Sequence, residues 1–321
     1  MERDAGPICS ENVAELDREA GRFTPKNAVR TKPEPVATLT DVSYTHVIVI
    51  TCKHCGSKNV VKYGKEGDMQ HYLCYDCGRT FAGNNALPGM RFRPDQIASA
   101  VNLFYDGLSI DKIRRQLDSI YHVYPSDSTV YGWVVRFTKA AVDDARVSKV
   151  QVGDLWIADE TVLDIGGRNV WFFDIIDDKT RFLLASRLTE SRTTRDAQML
   201  MDRARKQAGK SPKTVITDKL ASYLEVNYGK GAEHEQGGPF SLDSNTNLIE
   251  RFHGTLKSRT KIMRGLKGLE TAHDFASGWL IHYNYFRPHE SLDNETPGSV
   301  AKADFPCKCW KDVVMKAGRA K

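Results

Sequence analysis

The sequence predicts an α/β protein whose central mixed sheet and helices are preceded by a small metal-stapled β unit and an all-α unit. Three observations predict it. Residues 46–82 hold four of the seven cysteines, in two CxxC pairs among short β-rich runs. Residues 92–146 change to helical spacing, and residues 152–228 alternate strand-like runs with one long helical run. The expected divisions are a flexible leader (1–45), the cysteine unit (46–90), a helical unit (91–148), the α/β core (149–301) and a C-terminal tail (302–321).

The bulk composition sets the outer limits. Hydrophobic residues make up 40% of the 321 positions and charged residues 27%, enough apolar surface to bury cores over most of the chain. The net charge of +5 is a mild excess, so the distribution of charge has to carry any argument about partners. No apolar run reaches the roughly eighteen residues of a membrane span, so no membrane partner is expected. The start, Met1-Glu2-Arg3-Asp4, lacks a basic region followed by an apolar core, which points to the cytoplasm. In that reducing setting cysteines serve metals better than disulfides. Residues 1–45 are polar, with Pro25, Pro33 and Pro35, and are expected to be disordered apart from a short helix around Val13–Ala20.

Cys52-Lys-His-Cys55 and Cys74-Tyr-Asp-Cys77 form two knuckles with eighteen residues between the inner cysteines. A CxxC turn brings two thiolates to one face, and two such turns close a tetrahedron around Zn²⁺. Gly56 and Gly78 follow the knuckles directly, where the chain has to turn tightly. Four thiolates leave no open coordination position, so this zinc is expected to be structural. Cys307 and Cys309 lack a second pair and read as ordinary thiols, and Cys9 carries no signal.

In the helical unit Pro94 opens a run of Ile97, Val101, Phe104 and Tyr105, which Gly107 ends. Ser109 caps a second helix with Ile110, Ile113 and Leu117, which carries Arg114 and Arg115. Ser126 or Ser128 caps a third, containing Val130, Trp133, Val134 and Phe137. Three such helices fit a helix-turn-helix module, whose last helix would enter a DNA major groove with Ser128, Thr129, Tyr131 and Arg136 toward the bases. A generic three-helix packing unit fits the same spacing, and Trp133 reads as core in either case.

In the α/β core, Asp154-Leu-Trp-Ile-Ala-Asp159-Glu160-Thr161 reads as a buried strand that delivers a carboxylate at its end. Asn169–Ile176 and Arg181–Arg187 continue an antiparallel meander, with turns at Gly166-Gly167-Arg168 and Asp177-Asp178-Lys179. A helix spans about 194–207, and Lys213-Thr-Val-Ile-Thr-Asp218 is a further strand ending in Asp. Strand, strand, strand, helix, strand is the order of an RNase H-like core, in which the first and fourth strands are neighbours. Asp159 and Asp218 would then stand side by side. A helix from Asn247 carries Glu250, 32 positions after Asp218. Three carboxylates converging from separate elements suit two Mg²⁺ or Mn²⁺ ions working on phosphates. Lys257 falls about two turns along from Glu250 on the same helix face. From Glu250 to Lys267 the basic residues are Arg251, Lys257, Arg259, Lys261, Arg264 and Lys267, with Glu250 the one acid, as in a phosphate-tracking run. Glu160 points to the opposite strand face and reads as a neighbour. Asp164, Asp174, Asp177 and Asp178 read as turn or surface residues, and His253 either reaches the site or lies on the surface.

Residues 152–301 resemble the DDE transposases of bacterial and archaeal insertion sequences, particularly the insertion-sequence-six group, which are relatives of retroviral integrases. The matching pieces are Trp156-Ile-Ala-Asp159-Glu160-Thr161, Thr217-Asp218 and Asn247-Leu-Ile-Glu250-Arg251-Phe-His-Gly254-Thr-Leu-Lys257. Tyr283-Asn284-Tyr-Phe-Arg287-Pro288-His289 and Thr296-Pro297 complete them. The resemblance implies a magnesium-binding triad of Asp159, Asp218 and Glu250, with Lys257 holding the DNA end, and a preceding zinc ribbon and helix-turn-helix suit the group. It implies an enzyme that cleaves element ends and transfers strands, acting on terminal repeats and target DNA as a homodimer or larger assembly on the nucleoid. The interval from Asp218 to Glu250 is shorter than the family's usual spacing, and the loop around Gly229–Gly238 is expected to absorb it. A domesticated DNA-binding regulator and an RNase H-like nuclease without strand transfer are the rival readings.

Overall fold

A computed structural model describes residues 50–237, 246–262, 266 and 268–319. The leader, with Cys9 and its expected helix, lies outside the described residues, as do Arg264 and Lys267.

Strands β1 (Val60–Glu66), β2 (Met69–Cys74) and β3 (Thr80–Ala82) form an antiparallel three-stranded sheet around the cysteines. Its apolar cluster is small: Cys52, Cys74 and Phe81 are buried, with Ile50, Val60, Tyr72 and Cys77 packed against them. So few apolar side chains give little hydrophobic stabilisation of their own.

Helices α1 (Pro94–Tyr105), α2 (Ile110–Tyr121) and α3 (Asp127–Ala145) follow. Ser109 caps α2 by accepting from the Lys112 N–H, and Ser126 caps α3 by accepting from the Thr129 N–H. Helix α2 continues through Ser119 to Tyr121, which leaves a link of residues 122–126 before α3. The Tyr121 hydroxyl lies 2.9 Å from the Ser99 hydroxyl, which ties the last turn of α2 to α1. Val130, Val134, Phe137, Thr138 and Ala141 form the buried stripe of α3.

The second sheet is built from β4 (Leu155–Ile165), β5 (Arg168–Asp177), β6 (Leu183–Thr189), β7 (Thr214–Thr217) and β8 (Glu233–Gln236), in the order β6-β5-β4-β7-β8. The first three strands pair antiparallel, while β7 and β8 add in parallel beyond β4. Helix α4 (Thr194–Ala208) makes the crossover from β6 to β7 and packs Ala197, Leu200, Met201 and Ala204 inward. Helices α5 (Asn247–Ile262) and α6 (Leu269–Ile281) follow, with α5 against β4 and β5. This mixed five-stranded sheet is the RNase H-like arrangement, with the first and fourth of its strands adjacent.

A short helix α7 (Pro297–Val300) precedes α8 (Trp310–Arg319). The segment expected to be a tail therefore contains a helix, which packs on α1 and α3. Trp310 is fully buried there, its ring stacked on Tyr105 at 5.3 Å and its Nε1 donating to His282 Nδ1 at 3.4 Å. Helices α3 and α6 also pack closely, since a Cβ at Gly278 would lie 2.7 Å from Thr138 Cγ2 on α3 and 1.9 Å from the Tyr105 hydroxyl oxygen on α1. The division expected near residue 148 is thus no break in packing: one apolar cluster runs from Leu87 to Val314.

Candidate active site

The parallel pairing of β4 with β7 ends at Ala158 opposite Thr217, so beyond that point β4 has no strand beside it on this edge. Carboxylate oxygens of Asp159, Glu160 and Asp218 gather there, all within 4.8 Å of one another. Asp218, just after β7, is held by accepting the Leu220 N–H at 3.0 Å. Asp159 lies in mid-strand rather than at a strand end, because β4 runs on to Ile165 as the partner of β5. Burial, followed by the charges of Glu160, Asp218 and Glu250, pushes its carboxyl up to about 7.

Glu160 departs from expectation. Strict strand alternation would turn it away from the site, yet its carboxylate joins the cluster. Arg192 binds Oε1, donating from Nε at 3.0 Å, while Oε2 is buried without a partner. Burial and Asp218 raise the Glu160 carboxyl, against the pull of Arg192. The Arg192 guanidinium in turn lies 4.3 Å over the Trp171 ring. Tyr223, buried beside the cluster, is held far above its ordinary value by burial and then by these carboxylates.

Glu250 is exposed in the first turn of α5 and accepts from the Thr246 hydroxyl at 2.9 Å. It stands outside the 4.8 Å group, close enough for its charge to act on Asp159. His253, one turn on, is buried, with Nε2 2.9 Å from Asp174 Oδ2 and Nδ1 3.6 Å from Asp159 Oδ2. Asp174 is correspondingly no surface residue. It is fully buried on β5, directly opposite Asp159 in register. Asp177, also buried, accepts from the Thr180 N–H and hydroxyl and closes a turn.

The basic residues divide. Lys257 and Arg251 are exposed on α5, and Arg251 lines a cavity of about 380 Å³ together with Arg181 and Arg287. Arg259 is 3% exposed, its guanidinium 4.5 Å from the Phe104 ring centre, and so is not part of an exposed basic face. The reason is its position on the stripe of Ile249, Phe252 and Leu256, which faces the protein. Arg114 is also committed: it bonds Asp127, donates to the Pro125 carbonyl at 2.6 Å and lies over Tyr124. Arg115 is exposed and pairs with Asp111. On α3, Ser128 and Tyr131 are exposed, Thr129 and Arg136 are half-buried, and Trp133 packs edge-on against Phe92.

The cysteines form the other cluster among the described residues able to hold a metal, with Cys52 and Cys77 sulfurs 3.6 Å apart and Cys55 and Cys74 sulfurs also 3.6 Å apart. Burial raises the Cys52 thiol, but the Cys55 and His54 N–H groups and the neighbouring thiols bring it down to about 7. A four-sulfur set at this spacing fits tetrahedral Zn²⁺, and the all-oxygen set fits Mg²⁺ or Mn²⁺.

A sheet of this order, with carboxylates gathered where its first and fourth strands part, is the RNase H-like arrangement. Residues 153–289 match the family model of the IS240 transposase group, described as a DDE domain, so this segment is similar to the DDE domains of insertion-sequence transposases. Over 93 residues it is 34% identical to an uncharacterized protein in transposable element ISH50 of Halobacterium salinarum, a match that spans 28% of this chain and 30% of that one. Among solved structures, the HTLV-2 integrase catalytic core domain in complex with magnesium aligns at 14% identity and a TM-score of 0.38, over 48% of this chain and 99% of that one. A simian T-cell lymphotropic virus intasome in complex with PP2A regulatory subunit B56 gamma aligns at 14% identity and 0.39, over 60% and 76%. No helix among the described residues is long and apolar enough to cross a membrane.

Proposed function

We propose that the chain is a transposase that cleaves DNA at the ends of an insertion sequence and joins them to target DNA, with Asp159, Asp218 and Glu250 as its metal-holding carboxylates. The observation that carries this reading is the meeting of Asp159 and Asp218 where the parallel β4–β7 pair ends, with Glu250 acting on Asp159 from α5. Arg192 neutralises Glu160, which leaves the other three carboxylates to face cations. Divalent ions held there would activate the attacking oxygen and offset charge on the leaving oxygen.

In the first step water hydrolyses the phosphodiester at the element end and leaves a 3′ hydroxyl. In the second, that hydroxyl attacks a target phosphodiester and displaces its 3′ oxygen. Lys257 and Arg251, exposed beyond Glu250, would hold the DNA backbone, and the arginine-lined cavity continues that basic surface. Exposed Tyr131 on α3, with Arg136 and Arg115, would contact the terminal repeat as part of a helix-turn-helix, and Cys52, Cys55, Cys74 and Cys77 would hold a structural zinc. Two element ends must meet in one complex, so a homodimer or larger assembly working in the cytoplasm on the nucleoid follows.

The test is cleavage and joining of labelled element-end DNA with Mg²⁺ or Mn²⁺, comparing wild type with Asp218→Asn. The expected outcome is metal-dependent joined product that vanishes in the variant. Cleavage without joining would make the chain a nuclease, and tight DNA binding without chemistry would make it a regulator.

A further inference from the structure

Arg259 is 3% exposed, and none of its three guanidinium nitrogens has a hydrogen-bond partner. Among the described residues no carboxylate pairs with it. The faces of Phe104 at 4.5 Å and Phe275 at 5.8 Å attract the cation but accept no hydrogen bonds along its donor edge. Burial lowers its pKa to about 10, so it still carries charge at neutral pH. A desolvated guanidinium without an acceptor is costly, and an oxyanion is the partner its planar fork fits best.

A cavity of about 220 Å³ lies beside it, between the C-terminal end of α1 and helices α5 and α6. That volume would hold several waters or one tetrahedral oxyanion. Arg259, Arg287 and Trp279 are donors in its lining, while the Ser258 and Thr255 hydroxyls there donate to backbone carbonyls of α5. Trp279 Nε1 is likewise buried without a partner. The one carboxylate in the lining, Asp106, accepts from Asn102 at 2.6 Å, and His282 Nε2 lies 3.1 Å from its other oxygen.

We propose that this cavity binds a phosphate-type oxyanion, with Arg259 as its charge partner and Trp279 Nε1 as a further donor. The anion is either a phosphodiester of a nucleic acid strand lying along α5 or free phosphate. The site does not depend on the carboxylate cluster being catalytic, and its readout needs neither a divalent metal at that cluster nor strand chemistry.

The test is thermal unfolding of the full chain in sodium phosphate against sodium chloride at matched ionic strength and pH. Phosphate is expected to raise the wild-type midpoint by several degrees, and Arg259→Met to lose that response. Where Arg259→Met fails to fold, Ile262→Glu keeps the proposal exposed to failure. Ile262 is half exposed, lines the same cavity and lies three positions from Arg259, so a carboxylate there supplies the missing partner. That variant is expected to melt higher than wild type without phosphate and to ignore phosphate. No phosphate-specific shift in wild type, or an equal shift in wild type and variants (an adventitious ion only), overturns the site. A labelled DNA duplex then identifies the source. Several-fold weaker binding by both variants, with phosphate competing in wild type, assigns the site to the nucleic acid backbone. Unchanged DNA affinity with the phosphate response lost assigns it to the free anion.

Discussion

His253 joins two carboxylates that the sequence separates widely. Burial holds Asp174 well above the ordinary carboxylate range and draws His253 down to about 4, so both are disposed to be neutral. The 2.9 Å contact is then satisfied by the protonated Asp174 donating to Nε2 of a neutral imidazole, whose remaining N–H on Nδ1 faces Asp159. Asp159 titrates in the folded state near 7, against an ordinary value of 3.8. A raised carboxylate contributes stability that is present below the lower value and is lost as pH rises through the higher one. In metal-free protein the midpoint of Asp159→Asn minus that of wild type should therefore grow from pH 4 to pH 7, and saturating Mg²⁺ should shrink it. A difference that does not vary with pH would reject this account. The approach of Asp159 to Asp218 was legible in the sequence because each sits in a local motif on a strand the topology makes neighbours. Strand alternation sends Glu160 to the opposite face of β4 and does not convey that its carboxylate reaches the cluster past the end of β7. The Asp174–His253 pair, 79 positions apart, leaves no spacing to read.

Among the elements, β4 to β7 and α1 to α5 followed their apolar periodicity, while β8 escaped detection. Its sequence, Glu233-His-Glu-Gln236, is polar throughout, and it forms the outer edge of the sheet, where charged residues discourage pairing with another chain. The β1–β3 sheet is the opposite case, clear in its cysteines but too poor in apolar contacts to stand alone. A bound zinc would contribute on the order of 10 kcal/mol to it. Chelating zinc, or substituting Cys74→Ser, should release amide protection over residues 60–82 in hydrogen exchange while β4 and β5 keep theirs. Protection in β1–β3 that withstands a strong chelator would show that the metal is not what holds this sheet.

Across the whole molecule, the helical unit and the α/β core share one interior, which the sequence could not convey because its patterns are local. Composition marks where each unit begins, but the apolar faces that join α3 to α6 and α1 to α8 look like ordinary core stripes until their partners are known. Trp310→Ala should cost about 3–5 kcal/mol in urea unfolding, with loss of α1–α3 and of the α/β core in a single transition. A near-neutral Trp310→Ala, or a helical unit that melts separately, would place α8 outside the shared core. The stacking of Trp310 on Tyr105 also bears on biosynthesis. At ordinary ribosomal rates the wait between making Tyr105 and making Trp310 is on the order of 10–40 s. During that interval the apolar faces of α1 and α3 that α8 covers stay open, so a chain truncated before α8 is expected to aggregate, which sedimentation of the truncated chain would check.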